Sequence, residues 1–143
     1  MECAMRRVVT VLYTARTRTM GGREYGASRS SDGFLDVRLS TPGSARIGAN
    51  PEQLFAAAWS ASFESAVAAA ARQRTIAVPV GLAIEAELDL CLADGACFLQ
   101  ARLRVSLPGV ERQIAQALVD TAHQTCAYSK ATRGNIDVVI NLL

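Results

Sequence analysis

The stretch NPEQLFAAAWSASFESAVAAAARQ, residues 50–73, sets the architecture expected for this chain of 143 residues. Asn50 is suited to cap a helix, Pro51 suits the first helical position, and Gln53 completes a box-like Asn-x-x-Gln arrangement. From Leu54 to Ala71 the only polar residues are three serines and one glutamate. A helix that is apolar on nearly every side is buried on most sides. The stretch therefore predicts a central helix that other elements must cover.

Two alternating runs downstream of this helix predict a β-hairpin. Residues 82–90 and 99–107 each alternate apolar with polar side chains, the period of a half-buried strand. Asp94-Gly95 between them favours a tight turn. The first run carries acidic side chains and the second carries arginines, which suits antiparallel pairing.

Shorter patterns complete the element order. Before the central helix we predict a first strand at residues 7–14, a polar loop at 17–23 and a strand around 35–39. After the hairpin we predict a helix that ends near Cys126, with Ile114, Leu118 and Ala122 as its buried stripe. One more helical turn at 128–133 and a last strand at 136–142 follow. Strands segregated from two long helices indicate an α+β fold rather than a parallel sheet. We expect a single domain over residues 1–143.

Composition limits the classes of partner. The 15 basic and 13 acidic residues give a formal net charge of +2, which is too balanced to indicate a nucleic-acid-binding surface. No apolar run approaches the ~18 residues of a membrane span, so neither nucleic acid nor a membrane is expected as a partner. The four cysteines, Cys3, Cys91, Cys97 and Cys126, are widely scattered. A disulfide framework is not expected at this size, and a reducing cytoplasm is the expected location.

Two distant segments carry the motifs that indicate a function. The first begins Asn50-Pro51-Glu52-Gln53-Leu54-Phe55 and includes residues 59–63, Trp-Ser-Ala-Ser-Phe. The second is residues 123–135, His-Gln-Thr-Cys-Ala-Tyr-Ser-Lys-Ala-Thr-Arg-Gly-Asn, and Gly21-Gly22-Arg23 and residues 30–33 precede both. In this order, over essentially the whole chain, they resemble the active-site segments of the Ohr/OsmC family of bacterial organic-hydroperoxide reductases.

The resemblance implies an OsmC-like fold, with antiparallel sheets around two central helices in an intertwined homodimer. It implies a thiol-dependent peroxidase, an oxidoreductase of the oxidative-stress response that reduces organic hydroperoxides. Arg23 and Glu52 stand at the activating pair, Cys126 at the resolving cysteine, and Ser62 at the cysteine that attacks the peroxide. Lipoyl groups or small dithiols are the implied reductants, and no cofactor is expected.

Each implied residue type has a chemical reason. A thiol attacks the O–O bond as a thiolate, and a neighbouring guanidinium lowers its pKa; a glutamate holds that guanidinium by a bidentate ion pair. The tail of an organic peroxide needs an apolar lining, for which the helix offers Phe55, Trp59 and Phe63. Glu52 and Ser62 are ten residues apart on one helix, about 15 Å of rise, so one site containing both requires two subunits.

Serine at position 62 changes the expected chemistry, because a hydroxyl is not ionised near neutral pH and has no access to sulfenic acid. Three explanations stay open: an engineered Cys-to-Ser form, a natural relative that lost or moved the activity, and a peroxidase that uses Cys126 alone. Further differences from the family pattern, including Trp59, Ala127 and Lys130, favour natural divergence. Two functions follow: an Ohr-like peroxidase with impaired or altered activity, or a non-catalytic relative that binds a hydrophobic ligand in the retained pocket.

Two pairs of residues have simpler interpretations. His123 and Cys126 are spaced i, i+3 on a predicted helix, but the chain has no other histidine and no third ligand is apparent, so no metal site is expected. Cys91 and Cys97 flank the predicted hairpin turn, where facing each other by chance is a simpler interpretation than a functional disulfide.

Overall fold

The computed structural model describes residues 8–143. The chain divides into two compact units, one ending at Asn50 and the other spanning Pro51–Leu143. The first unit contains strand β1 (Thr17–Met20), the short helix α1 (Gly22–Tyr25), and strands β2 (Ala27–Ser30) and β3 (Asp36–Arg38). These strands form an antiparallel sheet in the order β1-β2-β3.

The predicted position of the first strand is wrong over the part that the structure describes. Residues 8–16 have no regular secondary structure, and Arg7, where the prediction begins, lies outside the described residues. The strand comes instead at Thr17–Met20, which was predicted to be a loop. Side-chain preference for strands acts only where a partner strand completes the backbone hydrogen bonds. Here β2 provides that partner, and Thr19 Oγ1 and Ser28 Oγ share a 2.6 Å hydrogen bond across the pair.

Two glycines start α1 and thereby place Arg23. Gly21 and Gly22 have φ of 84° and 72°, left-handed values that cost a glycine little. Gly26 closes the turn, and its N–H donates to the Gly22 carbonyl at 2.8 Å. A Cβ on Gly26 would lie 2.3 Å from the carbonyl oxygens of Gly22 and Met20, so no larger residue fits there.

The second unit contains the long helix predicted first. Its elements are α2 (Pro51–Gln73), β4 (Ala83–Ala93), β5 (Ala96–Ser106), α3 (Arg112–Thr125), α4 (Ala127–Thr132) and β6 (Asp137–Leu142). The bounds of α2 agree with the predicted start at Pro51 and the return of polar residues at Arg72. The predicted last helical turn and last strand are also present, so the α+β class is confirmed.

The predicted hairpin, its turn and the pairing of its opposite charges are confirmed. Ala93 pairs with Ala96 across Asp94 and Gly95, whose φ values of 51° and 76° suit a two-residue hairpin turn of the type I′ kind. On the exposed face of the ladder, Arg102 binds Glu87 and Asp89 at 2.8 Å each. The hydrogen bonds that Arg102 donates and, next in size, the one that Gln100 donates lower the pKa of the Asp89 carboxyl to about 2.

The hairpin register keeps two cysteines apart. Cys91 lies opposite Phe98, whereas Cys97 lies opposite Leu92. Because neighbouring residues of a strand point to opposite faces, Cys91 and Cys97 project from opposite faces of the sheet and do not face each other across the turn. Both are free thiols.

The core of this unit lies between the helices and the inner face of the sheet. Trp59, Phe63 and Val67 of α2 pack there with Leu103 and Leu118, all without exposed surface. The buried residues of α3 are Ala115, Leu118, Val119 and Ala122. The predicted stripe is therefore wrong at Ile114, which is 38% exposed. The buried face of α3 begins one residue later, at Ala115.

One strand pair differs from the expected antiparallel pattern. The sheet has the order β4-β5-β6, and β6 runs parallel to β5. Two helices, α3 and α4, lie between these strands in sequence, and a crossover of this length returns the chain in the same direction. The antiparallel prediction holds for β4 with β5 but is wrong for β5 with β6.

By length and composition α2 is long and apolar enough to cross a membrane, and it alone passes this test among residues 8–143. The core helix of a globular protein passes the same test. About a third of its most apolar 18-residue window is buried within the chain, so much of its apolar surface faces outward in a single copy.

Candidate active site

The structure brings Ser62 and Cys126 together. Ser62 lies in the middle of α2, Cys126 lies between α3 and α4, and Ser62 Oγ is 3.5 Å from Cys126 Sγ. The two residues are 64 positions apart in sequence, so this contact depends on how α3 and α4 pack on α2. Cys126 is 2% exposed, whereas Ser62 is only partly buried. Position 62 is thus the accessible member of the pair and the thiol is the covered one.

Backbone hydrogen bonds hold Cys126 at the junction of two helices. Its extended conformation, with φ of −62° and ψ of 126°, ends α3 and allows α4 to start in a new direction. Its N–H donates to the Ala122 carbonyl at 2.8 Å, and its own carbonyl accepts from the Lys130 N–H at 3.0 Å. The thiol is therefore carried by backbone that is fixed on both sides.

A second contact joins the same two helices one turn away. The indole Nε1–H of Trp59 donates to Ser129 Oγ at 3.4 Å, and neither residue has exposed surface. Phe55 packs edge-to-face against Trp59, with ring centroids 5.8 Å apart, and against Tyr128 at 6.2 Å. An aromatic group contributed by both α2 and α4 thus lies about one to two turns of α2 away from Ser62.

The three residues predicted to line the substrate pocket occupy different environments. Trp59 and Phe63 belong to the fully buried core, and Phe55 is partly buried against it. A groove of about 370 Å³ also lies in this unit, lined by Ser60, Ala61, Glu64, Leu82, Ala83 and Ile84. None of the three predicted residues lines this groove, and their role in substrate binding stays a prediction.

Arg23 and Glu52 are placed on different units. Arg23 lies on α1 of the first unit, and Glu52 lies in the first turn of α2, where a carboxylate interacts favourably with the helix dipole. Glu52 and Ser62 are confirmed on one continuous helix, ten residues apart, which corresponds to a rise of about 15 Å. The ion pair of Arg23 with Glu52 stays a prediction.

His123 lies one turn before Cys126 on α3 and was considered only as a metal ligand. Its Nδ1 atom is buried and has no hydrogen-bond partner among the described residues. Burial lowers the pKa of His123, the charge of Arg133 lowers it further, and Asp120 opposes the shift. Arg133 also donates a hydrogen bond to the His123 carbonyl. Within residues 8–143, no three His, Cys, Asp or Glu side chains cluster in a way that could hold a metal ion.

Sequence reasoning included Ser129 and His123 in a motif but gave neither of them a role in the site beyond weighing His123 as a metal ligand. Each is three positions from Cys126 on a helix, and side chains spaced i, i+3 share a helix face. That spacing was the available signal. It could not indicate which neighbouring element each side chain meets.

Comparison with known proteins gives concordant results. The profile of the OsmC-like protein family matches residues 42–141. An organic hydroperoxide resistance protein of Xanthomonas axonopodis pv. citri is 45% identical over 136 residues, covering 92% of this chain and 95% of that protein. The crystal structure of the organic hydroperoxide resistance protein OhrB of Bacillus subtilis superposes with a TM-score of 0.87 at 39% identity, covering 93% of this chain and all of that one. The crystal structure of an organic hydroperoxide resistance protein from Legionella pneumophila superposes with a TM-score of 0.86 at 35% identity, covering 93% of this chain and 98% of that one.

Proposed function

The chain belongs to the OsmC-like protein family, and on that premise we propose that it acts on organic hydroperoxides through a thiol chemistry altered by Ser62. Relatives that match over nearly their full length are named organic hydroperoxide resistance proteins, which supports an Ohr-like role in the oxidative-stress response. The observation that carries the specific proposal is the 3.5 Å contact between Ser62 Oγ and Cys126 Sγ. It places a hydroxyl where a second thiol would complete a reactive pair.

The chemistry available to this pair follows from its atoms. The Cys126 thiolate attacks one peroxide oxygen, an S–O bond forms, the O–O bond breaks, and the alkoxide takes a proton to leave as an alcohol. The sulfenic acid then condenses with an external thiol, releasing water and forming a mixed disulfide. The second thiol of a dithiol or lipoyl reductant displaces Cys126, and the reductant becomes a cyclic disulfide.

Position 62 sets the rate in this proposal. A pair of cysteines would protect the oxidised state as an internal disulfide, and the more accessible thiol would meet the peroxide first. Here the accessible residue is Ser62, which stays protonated, and the thiol lies beneath it with 2% exposure. Turnover is therefore slower than in a two-cysteine relative, and Cys126 carries what remains.

A homodimer completes the site in this proposal. Glu52 and Ser62 are too far apart on α2 for one glutamate side chain to span, and much of the apolar surface of α2 lies outside the core of its own chain. A second copy would cover that surface and bring its Glu52, together with Arg23 as the activating pair, toward Ser62. Light scattering at micromolar concentration should give twice the chain mass, and a stable monomer would contradict this arrangement.

The substrate class follows from the aromatic side chains. Phe55, which is only partly buried, favours a peroxide with an apolar tail, reduced in the cytoplasm by a dithiol or lipoyl partner, whereas Trp59 and Phe63 have no exposed surface within the chain and belong to the core behind it. A non-catalytic protein that binds a hydrophobic ligand is the alternative, and the contact between the rings of Phe55 and the partly exposed Tyr128 supports that binding equally.

One experiment separates the two functions. Consumption of tert-butyl hydroperoxide with dihydrolipoamide is measured for the native chain and for Cys126→Ser, and Cys126 is mapped by mass spectrometry after peroxide treatment. Slow turnover that disappears in Cys126→Ser, with sulfenic acid or a mixed disulfide at Cys126, supports the peroxidase. Absence of turnover and an unmodified Cys126 support the ligand-binding protein, whereas full turnover with an unmodified Cys126 places the chemistry elsewhere.

A further inference from the structure

The contacts between α2 and α4 form a short ladder around the Ser62–Cys126 pair. Ser62 meets Cys126, Trp59 meets Ser129 one turn away, and Phe55 meets Tyr128 at the far end. Trp59 precedes Ser62 by three residues, and Ser129 follows Cys126 by three. On α2 the two contacts are therefore about 4.5 Å apart along the helix axis, so the two pairs are neighbours.

The Trp59–Ser129 contact is polar and lies within the core. An indole N–H can only donate, and a serine hydroxyl can accept. Both groups have no exposed surface, so water does not replace the partner, and buried polar groups left without one are strongly disfavoured. The arrangement therefore selects one position of α4 along α2, because a slide of α4 would separate the donor from its acceptor.

The position of Cys126 is affected by where α4 lies along α2. α4 has six residues and starts immediately after Cys126, so a displacement of this helix moves the thiol with it. Ser62 and Trp59 are both on α2, whose length and regular hydrogen bonding make it the fixed reference. Because Cys126 also ends α3, the packing of both α3 and α4 on α2 sets the separation of the atoms at positions 62 and 126, and the Trp59–Ser129 contact acts on it from the α4 side.

We propose that Trp59 and Ser129 are positioning residues that hold the Cys126 sulfur at reaction distance from residue 62. The inference rests on the proposed function, which assigns Cys126 to the reactive pair. It adds that the alignment of this pair depends on a hydrogen bond between two buried side chains that do not touch the reacting atoms.

The test measures proximity of two thiols rather than turnover. In the full-length Ser62→Cys chain, the disulfide between the introduced thiol and Cys126 is quantified by mass spectrometry in glutathione redox buffers, which gives the effective concentration of one thiol at the other. Trp59→Phe removes the N–H donor and keeps an aromatic ring; Ser129→Ala removes the acceptor. Each should lower the effective concentration about tenfold, equivalent to about 30 mV in reduction potential, and the double variant should fall no further than the single ones.

Ser60→Ala is the matched control, because the Ser60 hydroxyl donates to the Ala56 carbonyl of its own helix at 2.8 Å. It should leave the effective concentration within about twofold of the parent. Thermal unfolding verifies that each variant is folded. If Trp59→Phe does not fold, Ser129→Ala still tests the proposal. Values for both Trp59→Phe and Ser129→Ala within twofold of the parent would overturn the proposal. No peroxide is involved, so this outcome is independent of whether the native chain is a peroxidase.

Discussion

Replacing Ser62 with cysteine is expected to restore rapid peroxide reduction. The substitution replaces a partly exposed hydroxyl oxygen that lies 3.5 Å from Cys126 Sγ with a thiol sulfur. A disulfide needs about 2.05 Å between sulfurs, so about 1.5 Å of closure is required, within reach of side-chain rotation and the longer C–S bond. The new residue thus supplies both an accessible nucleophile and an internal disulfide.

The expected magnitude follows from ionisation. A cysteine with an unperturbed pKa of about 8.5 is ~3% thiolate at pH 7, and a guanidinium neighbour that lowers the pKa to about 5.5 makes it almost fully thiolate. If Arg23 has this role, the thiolate fractions of Ser62→Cys and the double variant Ser62→Cys/Arg23→Ala differ about 30-fold at pH 7, equivalent to about 2 kcal/mol. Because a more acidic thiolate is intrinsically less nucleophilic, this factor is the upper limit of the expected difference in kcat/KM. The gain over the native chain should exceed that factor.

The assay is consumption of tert-butyl hydroperoxide with a dithiol at fixed pH, compared with cumene hydroperoxide and hydrogen peroxide. Ser60→Cys is the matched control, since it adds a thiol to the same helix two residues away on a different face. We expect Ser60→Cys to behave as the native chain. Ser62→Cys/Cys126→Ser should be oxidised once and recycle slowly. A folded Ser62→Cys chain no faster than the native one would refute the assignment of position 62.

Three further predictions concern stability. Phe63→Ala removes a fully buried core ring and should lower the free energy of unfolding by about 3–5 kcal/mol, measured by urea denaturation; a loss below about 1 kcal/mol would contradict the core assignment. Burial lowers the pKa of His123 below 6.5 in the folded chain, so the unfolded chain binds the proton more readily and stability falls as pH decreases below about 6.5. His123→Gln should flatten this slope just below about pH 6.5, and an unchanged slope would point to other groups. Gly95→Val forces a β-branched residue into φ 76° and should cost at least about 1–2 kcal/mol, visible as a lower Tm; an unchanged Tm would mean that the turn rearranges freely.

The elements predicted correctly share strong local signals. The bounds of α2 follow from Pro51 and from the apolar stretch that follows it, and the hairpin follows from Asp94-Gly95 between two alternating runs. In both cases the information lies within a few residues of the element. The errors have the opposite cause. Residues 8–14 have strand-forming side chains and lack a strand, whereas Thr17–Met20 has weak signals and forms one with β2.

The candidate site divides in the same way. Ser62, Cys126, Arg23 and Glu52 were identified from motifs, because chemistry restricts residue types at given positions in sequence. Ser129 and His123 lie in the same motif but were assigned no role in the site, since a spacing of three from Cys126 does not show which surface their side chains meet. A motif indicates which residue types stand at the predicted reactive positions, whereas the neighbours of those residues depend on how the helices pack.

The sequence alone therefore determined the family, the α+β class, the central helix and the identity of the residue at position 62, all of which depend on local patterns or on residue type. Only the tertiary structure decided that β6 pairs parallel with β5, that Ile114 is exposed while Ala115 is buried, and that the serine hydroxyl meets the Cys126 thiol. These contacts join segments tens of residues apart, and their free energy depends on how whole elements pack, which no local pattern contains.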